Sequence, residues 1–278
     1  MDMVFVQTSV LDELLDIDYD ATASAIQNFI AERLRLSGAS GLVLGLSGGV
    51  DSSVVAALCA RAVPGEKILG LIMPTGFTPA QDVADAQALA EKLGISTRHI
   101  PIDPIVQRYA EQLGVGMDET GARMAYANLR ARIRMTLLYF HANLQNMLVV
   151  GTGDRSEILL GYYTKYGDGG VDILPIGGLY KSQVRRLGLA LGLPEQLANK
   201  PSSPQLYPGH RAVDELPADY SILDPILYLL FDKKLSPQQV VDKGFDKRVV
   251  DAVLARYVGS VHKREMPPTG PTPVPFTR

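Results

Sequence analysis

The sequence predicts an α/β protein, an open parallel sheet with helices on both faces, followed by a small helical appendage at the carboxyl end. Two observations carry this expectation. Short apolar runs alternate with segments of helical periodicity from residue 41 to about residue 190. A glycine- and serine-rich turn also falls directly between the first apolar run and the helix that follows it.

Each element has a local reason. Residues 20–36 place Ala25, Ile26, Phe29, Ile30, Arg33 and Leu34 at helical spacing, and Gly38 supplies a stop. Residues 41–46 form a short apolar run of the kind a buried strand needs, and 52–63 return to helical composition. A second strand is expected over 68–73, ended by Pro74. The helix over 79–93 has proline at its start and Gly94 at its end. A third strand is expected over 97–102, a long helix over 120–144 and a further strand over 147–150, ending in Gly151. Residues 161–178, rich in Gly, Tyr and Asp, and 200–217, rich in Pro, Ser and Gly, read as long loops, which in compact domains are usually functional or disordered. Short helices over 219–231 and 246–258 make the appendage, and the tail PPTGPTPVP reads as extended. The simplest organisation is a single domain over residues 1–266 with a proline-rich tail over 267–278.

Composition narrows the function classes. The chain has 278 residues, 46% of them hydrophobic and 21% charged, which is a globular profile. Its formal charge is 27 − 30 = −3, which argues against a general polyanion binder, so no nucleic-acid partner is expected. One cysteine excludes an internal disulfide framework and any multi-cysteine zinc site or iron–sulfur cluster. The first twenty residues lack a basic segment and their apolar residues are interrupted by acids, so they make a poor signal peptide. No run of about 18 apolar residues occurs, and the expectation is a cytoplasmic protein without a membrane partner.

The most informative segment is Leu44-Gly45-Leu46-Ser47-Gly48-Gly49-Val50-Asp51-Ser52-Ser53. Gly48 and Gly49 let a ligand approach the backbone closely. Free N–H groups at a helix start, with the helix dipole behind them, make an anion site. Ser47, Ser52 and Ser53 add hydroxyl donors, whereas Asp51 would repel a phosphate unless Mg²⁺ lies between them. The loop is not a Walker A motif, because the chain has no Gly-Lys pair. A lone Ser-Gly-Gly would be a strand–helix turn and nothing more; the whole string in this context points to nucleotide binding.

A second segment, Gly151-Thr152-Gly153-Asp154-Arg155-Ser156-Glu157, follows the fourth strand. Glu157 falls at the carboxyl edge of the sheet, where open α/β sheets bind ligands, and with Asp51 it completes a candidate Mg²⁺ site. The plainer reading of Glu157 is a negative charge stabilising a first helical turn.

Ser47-Gly48-Gly49-Val50-Asp51-Ser52 resembles the signature of the ATP pyrophosphatase family, whose members cleave ATP between the α and β phosphates and adenylate an oxygen. Within that family, Tyr163-Thr164-Lys165-Tyr166-Gly167-Asp168-Gly169-Gly170-Val171-Asp172 closely resembles the first mobile loop of ammonia-dependent NAD synthetases. Asn128-Leu129-Arg130-Ala131-Arg132-Ile133-Arg134-Met135, Gly178-Leu179-Tyr180-Lys181 and His262-Lys263-Arg264 resemble further segments of that family, in its order, from about residue 20 to 266. The resemblance implies a Rossmann-like sheet of the adenine nucleotide alpha-hydrolase type, and amidation of deamido-NAD by ammonia at the expense of ATP, with release of AMP and pyrophosphate. The alternative is another amidating ATP pyrophosphatase acting on a different carboxylate. A thiolating enzyme or a sensor without turnover fits the residues less well.

The resemblance also implies roles. Gly45, Leu46, Ser47, Gly48, Gly49, Val50, Asp51 and Ser52 would cradle the ATP phosphates, and Asp51 and Glu157 would hold Mg²⁺. Thr152, Lys181 and Ser203 would contact ATP, with Asp51, Glu157 and Lys181 as the catalytic set. Arg132, Lys165, Asp172, His262 and Lys263 would bind deamido-NAD, some from the neighbouring subunit of a homodimer. Residues 200–217 match the family's second loop only in part, with Pro217 at the usual glycine.

Plainer readings stand beside these. Arg130 and Arg134 are i,i+4 neighbours and read equally well as a solvated helical face, with Arg132 on another face. Lys181 reads as well as an ordinary first-turn residue. His262 has no metal-spaced partner among His99, His141 and His210. Cys59, in an apolar helical stretch, reads as core rather than nucleophile.

Overall fold

Four short strands make one parallel sheet at the centre of the computed structural model, which describes residues 3–270. They are β1 (Gly41–Gly45), β2 (Ile68–Ile72), β3 (Ser96–His99) and β4 (Met147–Val150), in the order β3-β2-β1-β4. Leu44 pairs with Gly70 on one side and with Val150 on the other. Strand side chains alternate between faces, and the two faces have separate cores. Leu42 and Leu44 pack on one face, whereas Val43 packs on the other with Leu69 and Leu71.

Helices cover both faces, as the alternation of runs predicts. On the Leu42–Leu44 side lie α2 (Tyr19–Ser37), α3 (Val50–Ala62), α4 (Ala80–Leu93) and α8 (Lys181–Ala190). On the Val43 side lie α5 (Asp103–Leu113) and α6 (Ala122–Gln145). The expected helices over 20–36, 52–63, 79–93 and 120–144 correspond to α2, α3, α4 and α6. The third strand stops at His99 rather than residue 102, because Pro101 cannot extend the ladder.

The appendage is larger than expected and is not purely carboxyl-terminal. Its core joins Val10 and Leu14 of α1 (Met3–Leu15) to α10 (Tyr220–Phe231), α11 (Pro237–Asp242) and α12 (Lys247–Gly259). Leu160 of α7 (Arg155–Leu160) and Tyr180 pack into the same cluster, so it grips the edge of the site. The short α9 (Glu195–Ala198) and α13 (Val261–Arg264) complete the helices. Among the described residues no helix is long and apolar enough to cross a membrane. The proline-rich tail from residue 271 onward lies outside the described residues.

Candidate active site

In the order β3-β2-β1-β4, the chain leaves β1 to one side and β4 lies on the other, so the loops after β1 and β4 splay apart at the carboxyl edge. Such a switch point opens a crevice without any special side chain. Residues Gly45–Gly49 leave β1 and Gly151–Gly153 leave β4, and all of them except Gly48 line one cavity of roughly 280 Å³.

The first loop is shaped by its own polar groups. Gly48 takes φ of +73°, and a Cβ there would lie 2.1 Å from the carbonyl oxygen of Asp82, so only glycine fits. Ser47 Oγ accepts from Gly49 N at 3.2 Å and lies 3.0 Å from Ser52 Oγ. Ser53 Oγ donates to Gly49 O at 2.7 Å. The N-terminus of α3 therefore opens toward the cavity with hydroxyls around its unpaired N–H groups.

Asp51, in the first turn of α3, meets Glu157, in the first turn of α7, across the crevice. Between them lies Lys181, the first residue of α8, with no solvent exposure at all. Its Nζ is 2.7 Å from Asp51 Oδ2, 2.9 Å from Glu157 Oε1 and 2.9 Å from Asp154 Oδ2. Burial works against the ammonium, but Asp154, Asp51 and Glu157 outweigh it and hold the Lys181 pKa well above the ordinary lysine value. Burial, with help from the neighbouring acids, pushes the carboxyls of Glu157 and Asp154 upward against the pull of the same ammonium.

Asp154 is the residue that sequence reasoning missed. It caps α7, accepting from Glu157 N at 2.8 Å, while Glu157 Oε2 reaches back to Asp154 N at 3.4 Å. The signal was present as an Asp-x-x-Glu capping box, which makes the helix-stabilising reading of Glu157 correct alongside the site reading. Asp224 was missed too, since nothing local marks it. It is fully buried in α10, accepts Ser156 Oγ at 2.6 Å and Ser182 N at 2.8 Å, and so ties the starts of α7 and α8 together. Burial pushes its carboxyl up to about 7.

The donor set suits a hard divalent cation. Asp51 Oδ1 is buried without a hydrogen-bond partner, leaving a free lone pair at the crevice. Three carboxylates also face a single ammonium. Among the described residues no cluster of three or more His, Cys, Asp or Glu has the geometry of a metal cage. Mg²⁺ is commonly held by one or two carboxylates plus substrate phosphates, which asks less of the protein.

The remaining candidates divide into two groups. Gly45, Leu46, Ser47, Gly49, Val50, Asp51, Ser52, Thr152, Glu157 and Ser203 line the one cavity; Ser203 Oγ is engaged with the carbonyl of His210. Arg132, Lys165, His262 and Lys263 do not line it and gather instead around residues 161–168. Arg132 Nη2 donates to Lys165 O at 3.3 Å, and Lys165 Nζ donates to the carbonyl of His262. Lys263 Nζ donates to Gly161 O at 2.7 Å and Tyr163 O at 2.6 Å. His262 is exposed on α13. Asp172 accepts from Val149 N at 2.8 Å and from Tyr139 Oη at 2.8 Å, a position that anchors the loop to β4.

The solvated-face reading of Arg130 and Arg134 is overturned. Arg130 is buried and donates to Leu206 O at 3.0 Å, which pins the second loop to α6. Arg134 lines the cavity and donates to Met73 O at 3.1 Å, and burial draws its pKa down to about 10. Arg132 is the exposed member of the three. Cys59 is fully buried in α3, as its setting predicts.

Comparison with known proteins agrees with this geometry. The family model described as NAD synthase matches residues 22–267. An NH₃-dependent NAD⁺ synthetase of Hyperthermus butylicus is 53% identical over 260 residues, covering 93% of each chain. The solved NH₃-dependent NAD synthetase of Campylobacter jejuni is 32% identical with a TM-score of 0.76, covering 92% of this chain and 100% of that one. The NMN synthetase of Francisella tularensis is 31% identical with a TM-score of 0.80, covering 92% and 99%. A match over nearly the whole chain, on a fold whose crevice gathers the phosphate loop and the paired acids, places this protein in the NAD synthase family.

Proposed function

We propose that the chain amidates deamido-NAD with ammonia, consuming ATP and giving NAD, AMP and pyrophosphate. The observation that carries this reading is the convergence of the Gly45–Ser52 loop, Asp51 and Glu157 on one crevice at the sheet's switch point. A carboxylate resists ammonia because its leaving group would be oxide. In the proposed reaction a nicotinate carboxylate oxygen attacks the α phosphorus, forming an O–P bond as the bond to pyrophosphate breaks. The backbone donors of Ser47, Gly48 and Gly49 stabilise charge on the departing pyrophosphate. Mg²⁺ on Asp51 and Glu157, when bound, would neutralise charge on the phosphate oxygens. The nitrogen lone pair then attacks the acyl carbon, AMP leaves with the former carboxylate oxygen, and a proton is released. No side-chain nucleophile takes part, so positioning and electrostatics supply the rate.

Thr152 and Ser203 are proposed to contact ATP from the walls of the same cavity. Lys181 is proposed to tune the acid pair; it is wholly buried and does not line the cavity, so the contact with ATP that the resemblance implies requires its ion pairs with Asp51 and Glu157 to open. Arg132, Lys165, Asp172, His262 and Lys263 are proposed to hold deamido-NAD, reached across the loop at 161–178. Both loops would exclude water, which hydrolyses an acyl-adenylate. The reading includes a cytoplasmic location and a homodimer, for which Phe140 and Leu144, exposing 61% and 65% of their surface four residues apart on α6, offer an apolar face for a second copy. A coupled assay for AMP, pyrophosphate and NAD tests the proposal, with ammonia and glutamine compared side by side. Turnover only with deamido-NAD and ammonia is expected; turnover by the purified chain on glutamine alone contradicts it.

A further inference from the structure

Lys200 opens the second loop and has no role in the proposal above. Its Nζ donates to the carbonyl oxygen of Gly48 at 2.8 Å. It also lies 2.6 Å from Asp82 Oδ1 and 2.8 Å from Asp85 Oδ2, both on α4. Asp82 is buried, its backbone carbonyl is the group that leaves Gly48 no room for a Cβ, and its carboxylate also accepts from Gln205 Nε2. Three parts of the chain thus meet at one ammonium: the phosphate loop, two acids of α4 and the start of the second loop.

The contact with Gly48 has a directional consequence. A trans peptide holds its C=O and the next N–H on opposite sides. With the Gly48 carbonyl drawn to Lys200, the Gly49 N–H points the other way and donates to Ser47 Oγ at 3.2 Å, and both Ser47 and Gly49 line the cavity. Gly48 carries no Cβ and its neighbour is also glycine, so little in the backbone itself resists rotation of this peptide. Rotation would turn a carbonyl dipole onto the site where phosphate is expected. Lys200 also pairs with both Asp82 and Asp85, and its single positive charge offsets part of their repulsion of an anion.

We propose that Lys200 is a positioning residue for nucleotide binding: it fixes the Gly48–Gly49 peptide with its N–H toward the phosphates and screens Asp82 and Asp85 from them. The inference rests on the reading of residues 45–52 as a phosphate cradle. Burial works against the charge on Lys200, but the bonds to Asp82 and Asp85 outweigh it and hold the pKa above the ordinary lysine value, so the ammonium persists at neutral pH.

The test is steady-state turnover of Lys200→Met with each substrate varied in turn. The KM for ATP should rise about tenfold or more, the equivalent of one charged hydrogen bond. The KM for deamido-NAD should stay within about twofold, because a general loss of structure would move both and a directed peptide moves one. Lys200→Gln carries the same expectation should the methionine variant fail to fold. An unchanged KM for ATP, or an equal rise for both substrates, overturns the proposal. Ser47→Ala, measured in parallel, separates the two levels. If it too leaves ATP unaffected, the cradle reading fails; if it weakens ATP while both Lys200 variants do not, only the role of Lys200 fails.

Discussion

Replacing Lys181 by methionine removes the one cation that three carboxylates share. The ammonium is wholly buried, and Asp154 beside it has no exposed surface either, so water cannot take its place at that contact. Deleting one partner of a buried ion pair typically costs about 3–5 kcal/mol, because the remaining charge is left uncompensated. The side chains of Asp51 and Glu157 are 23% and 21% exposed, so solvent relieves part of their share and the lower end of that range applies. For 278 residues, the unfolding entropy at the midpoint is about 0.6 kcal/mol/K, and a loss of about 3 kcal/mol lowers Tm by about 5 °C. Differential scanning calorimetry of the two proteins, with and without MgCl₂, reads this directly. Magnesium should recover more of Tm in the methionine variant than in the parent, since the freed carboxylates bind a cation more tightly. An unchanged Tm without metal, or equal shifts on adding it, would refute the assignment of Lys181 as the counterion of this cluster.

Other outcomes follow from the same geometry. Asp51→Asn should lower kcat by about a hundredfold or more with Tm preserved, because a neutral amide holds Mg²⁺ poorly and Asp51 is only one of three acids on Lys181. Cys59, fully buried with its thiol pushed up to about 12, should resist a thiol reagent in the native protein at pH 8 and react fully in denaturant. Asp224, with its carboxyl raised to about 7 by burial, binds a proton more tightly folded than unfolded. Its stabilising contribution is therefore whole below the unfolded pKa and is lost as pH rises through 7, by about 3 kcal/mol between pH 5 and 8. The stability gap between the parent and Asp224→Asn, measured by denaturant titration, should shrink by that order across this range; a constant gap contradicts the titration.

Legibility in the sequence depended on the range of the interaction. β1, β2 and α4 were legible because continuous short apolar runs, Pro79 and Gly94 are local signals. The helix at Asp103–Leu113 went unread although it carries Pro104 at its start, Gly114 at its end and Ile105, Val106, Tyr109, Ala110 and Leu113 at helical spacing between them. The amino-terminal helix was overlooked because its apolar face is paired with α10, more than two hundred residues away. Asp51 and Glu157 could be paired from sequence, since each follows a strand at a predictable edge. The contacts of Lys200 with Gly48 and of Arg130 with Leu206 cross 152 and 76 residues, and no spacing rule encodes them. Arg130 and Arg134 looked like a solvated pair because helical spacing does not tell which face meets the sheet.

The central claim is that the innermost phosphorus of ATP is left open to the substrate's carboxylate while the loop and the acid pair restrain the outer phosphates. Deamido-NAD labelled with ¹⁸O in its carboxyl group tests this in one turnover, read by mass spectrometry of the products. One labelled oxygen should appear in AMP and none in pyrophosphate. Label in pyrophosphate, or AMP free of label while NAD accumulates, would contradict attack at the α phosphorus.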